Sequence, residues 1–180
     1  PLLYRKEQEQ ILSQERPDLI IVADYGQLLP EFTINYPKYK CLNVHGSLLP
    51  DLRGAVPIPL AILRGYEKTG VSIPVMTTGL DDGPIVANAE LKIDPDDTTA
   101  TLKLKLAKMG AELLIEVLPK WINGQVVPQE QDSAKSTIAD KSLIAKELAQ
   151  IHPGISVNVA EKMIRAFNPW PVVWCDLVVK

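Results

Sequence analysis

Asn43 and His45 stand two positions apart at the close of an apolar run, in the stretch CLNVHGSLLPDLRGAVPI over residues 41–58. Imidazole titrates near neutral pH without help from its surroundings, so His45, one of two histidines in 180 residues, is the candidate acid–base group. In an extended strand, residues two apart face the same side. The Asn43 amide therefore aims where the imidazole aims, and an amide N–H can stabilise a developing oxyanion. Further on, the loop GLDDGP over residues 79–84 carries two carboxylates, Asp81 and Asp82, which could orient an imidazole. Amide donor, proton carrier and carboxylate together suit acyl transfer to an amine. Each has a plainer reading on its own. A lone histidine is more often a core residue bonded to a backbone carbonyl, and adjacent aspartates more often mark a solvated turn.

Other chemistries fit less well. Ser47 lies only two residues from His45 and no G-x-S-x-G elbow exists, which disfavours a Ser-His-Asp hydrolase. Histidine and cysteine are too scarce for a metal site, and no Gly-rich phosphate loop is present. Arg53 reads as a surface cation and His152 as a solvated residue of a Pro-Gly loop. Trp121, Trp170 and Trp174 read as core aromatics.

The elements that must position these groups alternate between strand and helix. Residues 4–16 suit an exposed helix ended by Pro17. Residues 18–24 (DLIIVAD) form a near-continuous apolar run, as in a parallel strand buried on both faces. The turn YGQLLP and a short helix or loop lead to the strand at 41–45. Gly46 and Pro50 then force a turn, and a strand ending in polar groups beside such a loop is where an open α/β sheet keeps its ligand site. Residues 57–64 suit a helix with proline in its first turn. A strand is expected over 70–78, its internal Pro74 favouring an edge or a bulge. A hairpin-like return strand follows over 85–93. Asp97, Thr98 and Thr99 offer N-cap oxygens to a helix with Leu102, Leu106, Met109, Leu113 and Val117 on one face. Residues 125–140 are polar and irregular and read as a linker. A short helix over 143–150, a stronger one over 157–167 and the start of a final strand complete the chain.

Apolar residues make up 46% and charged residues 23%, an ordinary globular balance. The net charge of −3 argues against a nucleic-acid surface within this stretch. Cys41 and Cys175 sit in apolar runs and read as reduced core residues of a cytoplasmic protein. No signal-peptide pattern and no apolar run of membrane-spanning length stands out. Pro1 opens the chain within a helical approach and WCDLVVK closes it within an alternating run, so both ends read as cut from a longer protein.

NVHGSLLPDLRGAVPI, followed by TGVSI and then GLDDGPI, resembles the formyltransferase family that uses 10-formyltetrahydrofolate, in order and spacing from residue 18 to residue 86. RAFNPWP, residues 165–171, resembles the branch that formylates methionyl initiator tRNA. Relatives acting on a purine precursor or a nucleotide-linked amino sugar are not expected to carry that segment. The resemblance implies an α/β fold: a partial Rossmann-like, mostly parallel sheet with flanking helices, then a linker and the truncated start of a C-terminal β-barrel. Its implied divisions are a catalytic domain over 1–124 lacking its N-terminal part, a linker over 125–141 and the C-terminal start over 142–180. It implies Asn43, His45 and Asp81 as catalytic residues, with Asp82 at a variable place. Ser47, Leu48, Leu49 and Pro50 are implied to contact the folate, and the backbone of residues 27–29 to line the pterin pocket. The implied donor is 10-formyltetrahydrofolate, without a metal. The implied acceptor is methionyl initiator tRNA, met by a monomer mainly through the missing segments. A nucleotide-linked amino sugar as acceptor, or a non-catalytic folate-binding fragment, are the alternatives.

Overall fold

Residues 2–176 are described by the computed structural model of the chain. Leu2–Glu15 forms helix α1, which is seated through buried Leu12 and through Gln8, whose Oε1 accepts from Thr33 Oγ1 at 3.0 Å. The apolar runs that follow make strands β1 (Ile20–Ala23) and β2 (Cys41–Val44), with helix α2 (Glu31–Asn35) between them. They pair in parallel, Ile20 against Cys41 through to Ala23 against Val44. Helix α3 (Pro57–Leu63) begins on a proline, whose missing N–H costs nothing at that position. Strands β3 (Lys68–Pro74) and β4 (Ile85–Lys92) form an antiparallel pair. Its register slips between Ile73 and Pro74, where proline can give no ladder hydrogen bond.

β2 also lies antiparallel beside β3. The His45 and Ser72 backbones exchange hydrogen bonds of 2.9 and 3.0 Å, and Leu42 bridges Val75. The strand order is therefore β1-β2-β3-β4, a parallel pair extended by antiparallel neighbours. Helix α4 (Thr99–Ile122) covers one face. Its N-cap is a capping box: Thr98 Oγ1 accepts from the Thr101 amide, and Thr101 Oγ1 accepts from the Thr98 amide. Leu102, Leu106, Gly110 and Val117 are its buried positions. Gly110 lets helix and sheet approach closely, since a Cβ there would lie 2.7 Å from Val44 Cγ1. Helix α5 (Val157–Ala166) packs on α3. The main core joins Leu52, Leu60, Ile62, Val71, Leu102 and Leu106 to Ala139, Ile144, Met163 and Phe167.

Several expectations change on folding. β1 is not buried on both faces: its residues alternate between half-buried and exposed, so one face lacks a covering layer. The helix expected over 143–150 is instead two 3₁₀ turns, Lys141–Ile144 and Lys146–Ala149, broken at extended Ala145. Residues 125–140 hold no α-helix, but Ser133–Lys135 forms a 3₁₀ turn, Ala139 is fully buried and Ile138 bridges Arg53. Trp170 and Trp174 are substantially exposed, and only Trp121 is half-buried, its Nε1 donating to Tyr39 O at 2.8 Å. Cys41 is buried but Cys175 is exposed, and both are free thiols. His152 is exposed. Trp174 forms a parallel bridge with Gln150, while the rest of the expected last strand, from 177, lies outside the described residues.

Candidate active site

β2 delivers Asn43 and His45 to one place because they share a strand face. Both side chains meet Asp81, which arrives from the loop between β3 and β4. Asn43 Nδ2 donates to Asp81 Oδ1 at 3.2 Å, and His45 Nδ1 lies 3.7 Å from Asp81 Oδ2. The second distance is too long for a direct hydrogen bond but short enough for the carboxylate to stabilise charge on the ring. Asp81 Oδ2 also accepts from the Gly54 amide at 2.8 Å. The imidazole is buried, 5% exposed, and its Nε2 lies 3.0 Å from Leu52 O. A carbonyl can only accept, so Nε2 carries the hydrogen and Nδ1 is the nitrogen that gains or loses a proton.

Backbone strain marks the two groups that hold the imidazole. Asp81 has φ +47° and Leu52 φ +57°, both in the left-handed region that residues with a Cβ seldom occupy. Gly54, at φ +112°, could not carry a side chain without placing its Cβ 2.9 Å from Ala139 O. Asp82 turns away to bond Thr77 Oγ1 on the exposed side of the loop. The two aspartates thus separate, one inward and one toward solvent.

The segment following His45 is tightly tied. Ser47 is buried and its Oγ donates to Asp51 O at 2.6 Å. Ser47 O accepts from Ser72 Oγ at 2.8 Å, and the Leu49 amide donates to Ser72 Oγ at 3.0 Å. Leu48 is half-buried, its side chain crossing above Gly70, while Leu49 is buried and Pro50 half-buried. In the 25–30 turn Leu28 is 76% exposed. Shallow clefts of about 420 Å³ at Pro30, Glu31, Phe32 and Asn35, and of about 170 Å³ at the start of β4, lie apart from the three meeting side chains.

Arg53, expected on the surface, is buried at 7% exposure. Its Nε and Nη2 donate to Gln131 Oε1 at 3.0 and 2.8 Å. Gln131 Nε2 in turn donates to the carbonyls of Asp81 (2.9 Å) and Gly83 (2.7 Å). Residue type and spacing give no signal for Gln131, one polar residue among many in its segment.

What the arrangement can do follows from its donors. Asn43 has a second Nδ2 hydrogen besides the one on Asp81, suited to an oxygen gaining negative charge. Nδ1 of His45 suits an amine losing a proton, with Asp81 at hand to stabilise the imidazolium. Among the described residues no helix is long and apolar enough to cross a membrane, and no group of three His, Cys, Asp or Glu side chains could hold a metal ion.

Comparison with known proteins adds a lineage to this geometry. The formyl transferase family model matches residues 2–118. The methionyl-tRNA formyltransferase of Bacillus licheniformis is 47% identical over 172 residues, 95% of this chain and 53% of that protein. The one from Myxococcus xanthus is 42% identical over 166 residues, 92% and 53% respectively. Among solved structures, a 4-N formyltransferase from Francisella tularensis matches with a TM-score of 0.81 at 21% identity, over 95% of this chain and 69% of that one. HypX from Aquifex aeolicus, in complex with tetrahydrofolic acid, matches with a TM-score of 0.83 at 19% identity, over 94% and 29%. These two likenesses establish the fold. The chain spans about half the length of the curated relatives it matches. With the family model covering most of the chain and relatives above 40% identity along nearly all of it, the chain belongs to the formyl transferase family.

Proposed function

We propose that the protein transfers the formyl group of 10-formyltetrahydrofolate to the amino group of methionyl initiator tRNA. The observation that carries this is the meeting of Asn43, His45 and Asp81 around one point beyond β2. The names of the relatives at 41–47% identity supply the acceptor.

In this reading the α-amine attacks the formyl carbon while Asn43 Nδ2 donates to the oxygen as it becomes an oxyanion. His45 Nδ1 takes the proton that the amine sheds and returns it to the folate nitrogen as that C–N bond breaks. The new amide N–C bond replaces the bond broken, and no net proton is gained. Asp81 stabilises the imidazolium between the two transfers without removing its proton, consistent with the 3.7 Å gap. Leu52 O keeps Nε2–H fixed, so the ring presents the same nitrogen throughout. Ser47, Leu48, Leu49 and Pro50 would contact the folate. Because the Ser47 hydroxyl is engaged with Asp51 O, this segment would contribute backbone groups and the leucine side chains.

The same reading assigns residues 1–124 to the catalytic domain, 125–141 to a linker and 142–180 to the start of a C-terminal domain, in a monomeric cytoplasmic enzyme. General acid–base catalysis contributes about 10²–10⁴ in rate. His45→Ala is accordingly expected to abolish measurable transfer to charged initiator tRNA while folate binding is kept. A variant retaining near-full turnover would remove His45 from the mechanism. Faster formylation of a nucleotide-linked amino sugar than of charged tRNA would move the proposal to another acceptor.

A further inference from the structure

We propose that residues 131–137 form a positioning strip, in which Gln131 sets Asp81 and Thr137 sets the carbonyl that holds His45; the proposal rests on the formyl-transfer reading above. The Gln131 amide has two N–H hydrogens and two lone pairs. All four are engaged: the hydrogens on Asp81 O and Gly83 O, the lone pairs on the Arg53 guanidinium. The amide cannot turn without breaking contacts at both ends. It grips the backbone of Asp81, whose left-handed conformation must be held from outside.

Six residues on, Thr137 does the same for the other arm. Its Oγ1 accepts from the Leu52 amide at 2.9 Å and donates to Asp51 Oδ1, while its carbonyl accepts from the Arg53 amide at 2.9 Å. Leu52 is the second left-handed residue, and its carbonyl is the acceptor for His45 Nε2. One irregular stretch therefore sets the distance between imidazole and carboxylate from both sides. Gln131 and Thr137 act through Asp81 and Leu52, as positioning residues.

Gln131→Glu keeps the side chain's shape and the acceptor for Arg53, but sets a carboxylate oxygen against two carbonyls. In the whole protein this variant is expected to lower kcat on the order of 10²-fold, the scale of a misplaced catalytic group, with KM for the folate donor little changed. The Gly54 amide, which rests on Asp81 Oδ2, should exchange with deuterium faster. Thr137→Val should likewise lower kcat, and Thr137→Ser, which keeps the hydroxyl, should restore it. Unchanged kcat in both Gln131→Glu and Thr137→Val overturns the proposal, as does a Thr137→Ser variant no better than Thr137→Val. If Gln131→Glu unfolds the protein, the Thr137 pair decides. If the wild-type protein transfers no formyl group, the functional reading fails. Gly54 exchange then judges the strip separately: faster exchange in Gln131→Glu supports it, and unchanged protection overturns it.

Discussion

At the scale of single residues, the site depends on which ring nitrogen faces which acceptor. Leu52 O claims Nε2–H, so in the proposed reaction the proton transfers fall to Nδ1, beside Asp81. Asn43 has a double task, donating to Asp81 and, in the proposed reaction, to the oxyanion. Asn43→Ala is expected to lower kcat by about 10²–10³-fold, the usual cost of an oxyanion donor, measured as single-turnover formylation. The thiols offer a test independent of activity. Burial pushes the Cys41 thiol up to about 11, and the residue is fully enclosed. At neutral pH Cys41 stays protonated and out of reach, whereas Cys175 is exposed. Alkylation followed by peptide mass spectrometry should find Cys175 modified in the native protein and Cys41 only after denaturation. Type and spacing pointed to Asn43 and His45 because a strand's two-residue period is a local property. The two carboxylates of the 79–84 loop stood out by type, but the choice of Asp81, 38 positions beyond Asn43, over Asp82 followed from resemblance to a family loop. The burial of Arg53 has no local signal, because a loop arginine is ordinarily solvated and its half-buried partner Gln131 is distant in the chain.

At the scale of elements, the start of α4 ties the sheet to the helical layer. Asp97 is nearly fully buried; Oδ2 accepts from the Asp94 amide, Oδ1 accepts from Thr101 Oγ1, and Lys105 Nζ lies 2.8 Å from Oδ1. Burial alone would raise its pKa, but the hydrogen bonds from Lys105, Asp94 and Thr101 outweigh burial and hold the carboxyl below its ordinary value. A carboxylate with a lowered folded-state pKa stabilises the fold above the unfolded value. That contribution is lost as pH falls through the folded-state value. Asp97→Asn is therefore expected to cost about 1.5–3 kcal/mol at pH 7, the range for hydrogen bonds to a charged group. Urea titrations should show the difference from wild type shrinking below the ordinary carboxylate pKa of about 4. The periodicity of α4 was legible in the sequence because it buries one stripe, whereas α3 is buried nearly all round, and in α5 Met163 is buried while Val159 and Ile164 are exposed. The expected helix at 143–150 does not form, since its residues pack as two 3₁₀ turns whose buried positions are Ile144 and Ala149.

At the scale of the whole molecule, one core cluster runs from Leu52 in the loop after β2 to Phe167 at the end of α5. Packing there links the C-terminal helix to the elements that frame the candidate site. Phe167 is 1% exposed. Phe167→Ala should cost about 3–5 kcal/mol, as other buried aromatic truncations do. Hydrogen exchange should show β3 amides losing protection together with those of α5; protected β3 amides beside an exchanging α5 would mean that the two are energetically separate.

By itself the sequence determined the order of strands and helices outside residues 143–150, the pairing of Asn43 with His45 on one face, and the slip at Pro74. These follow from local periodicity and from the missing proline donor. Only the tertiary structure decided that Asp81 turns inward while Asp82 turns out, that Arg53 is buried, and that a polar stretch read as a linker reaches the site through Gln131 and Thr137. Those outcomes depend on hydrogen bonds between groups 27 to 86 positions apart, and no local pattern records which distant acceptor a side chain will find.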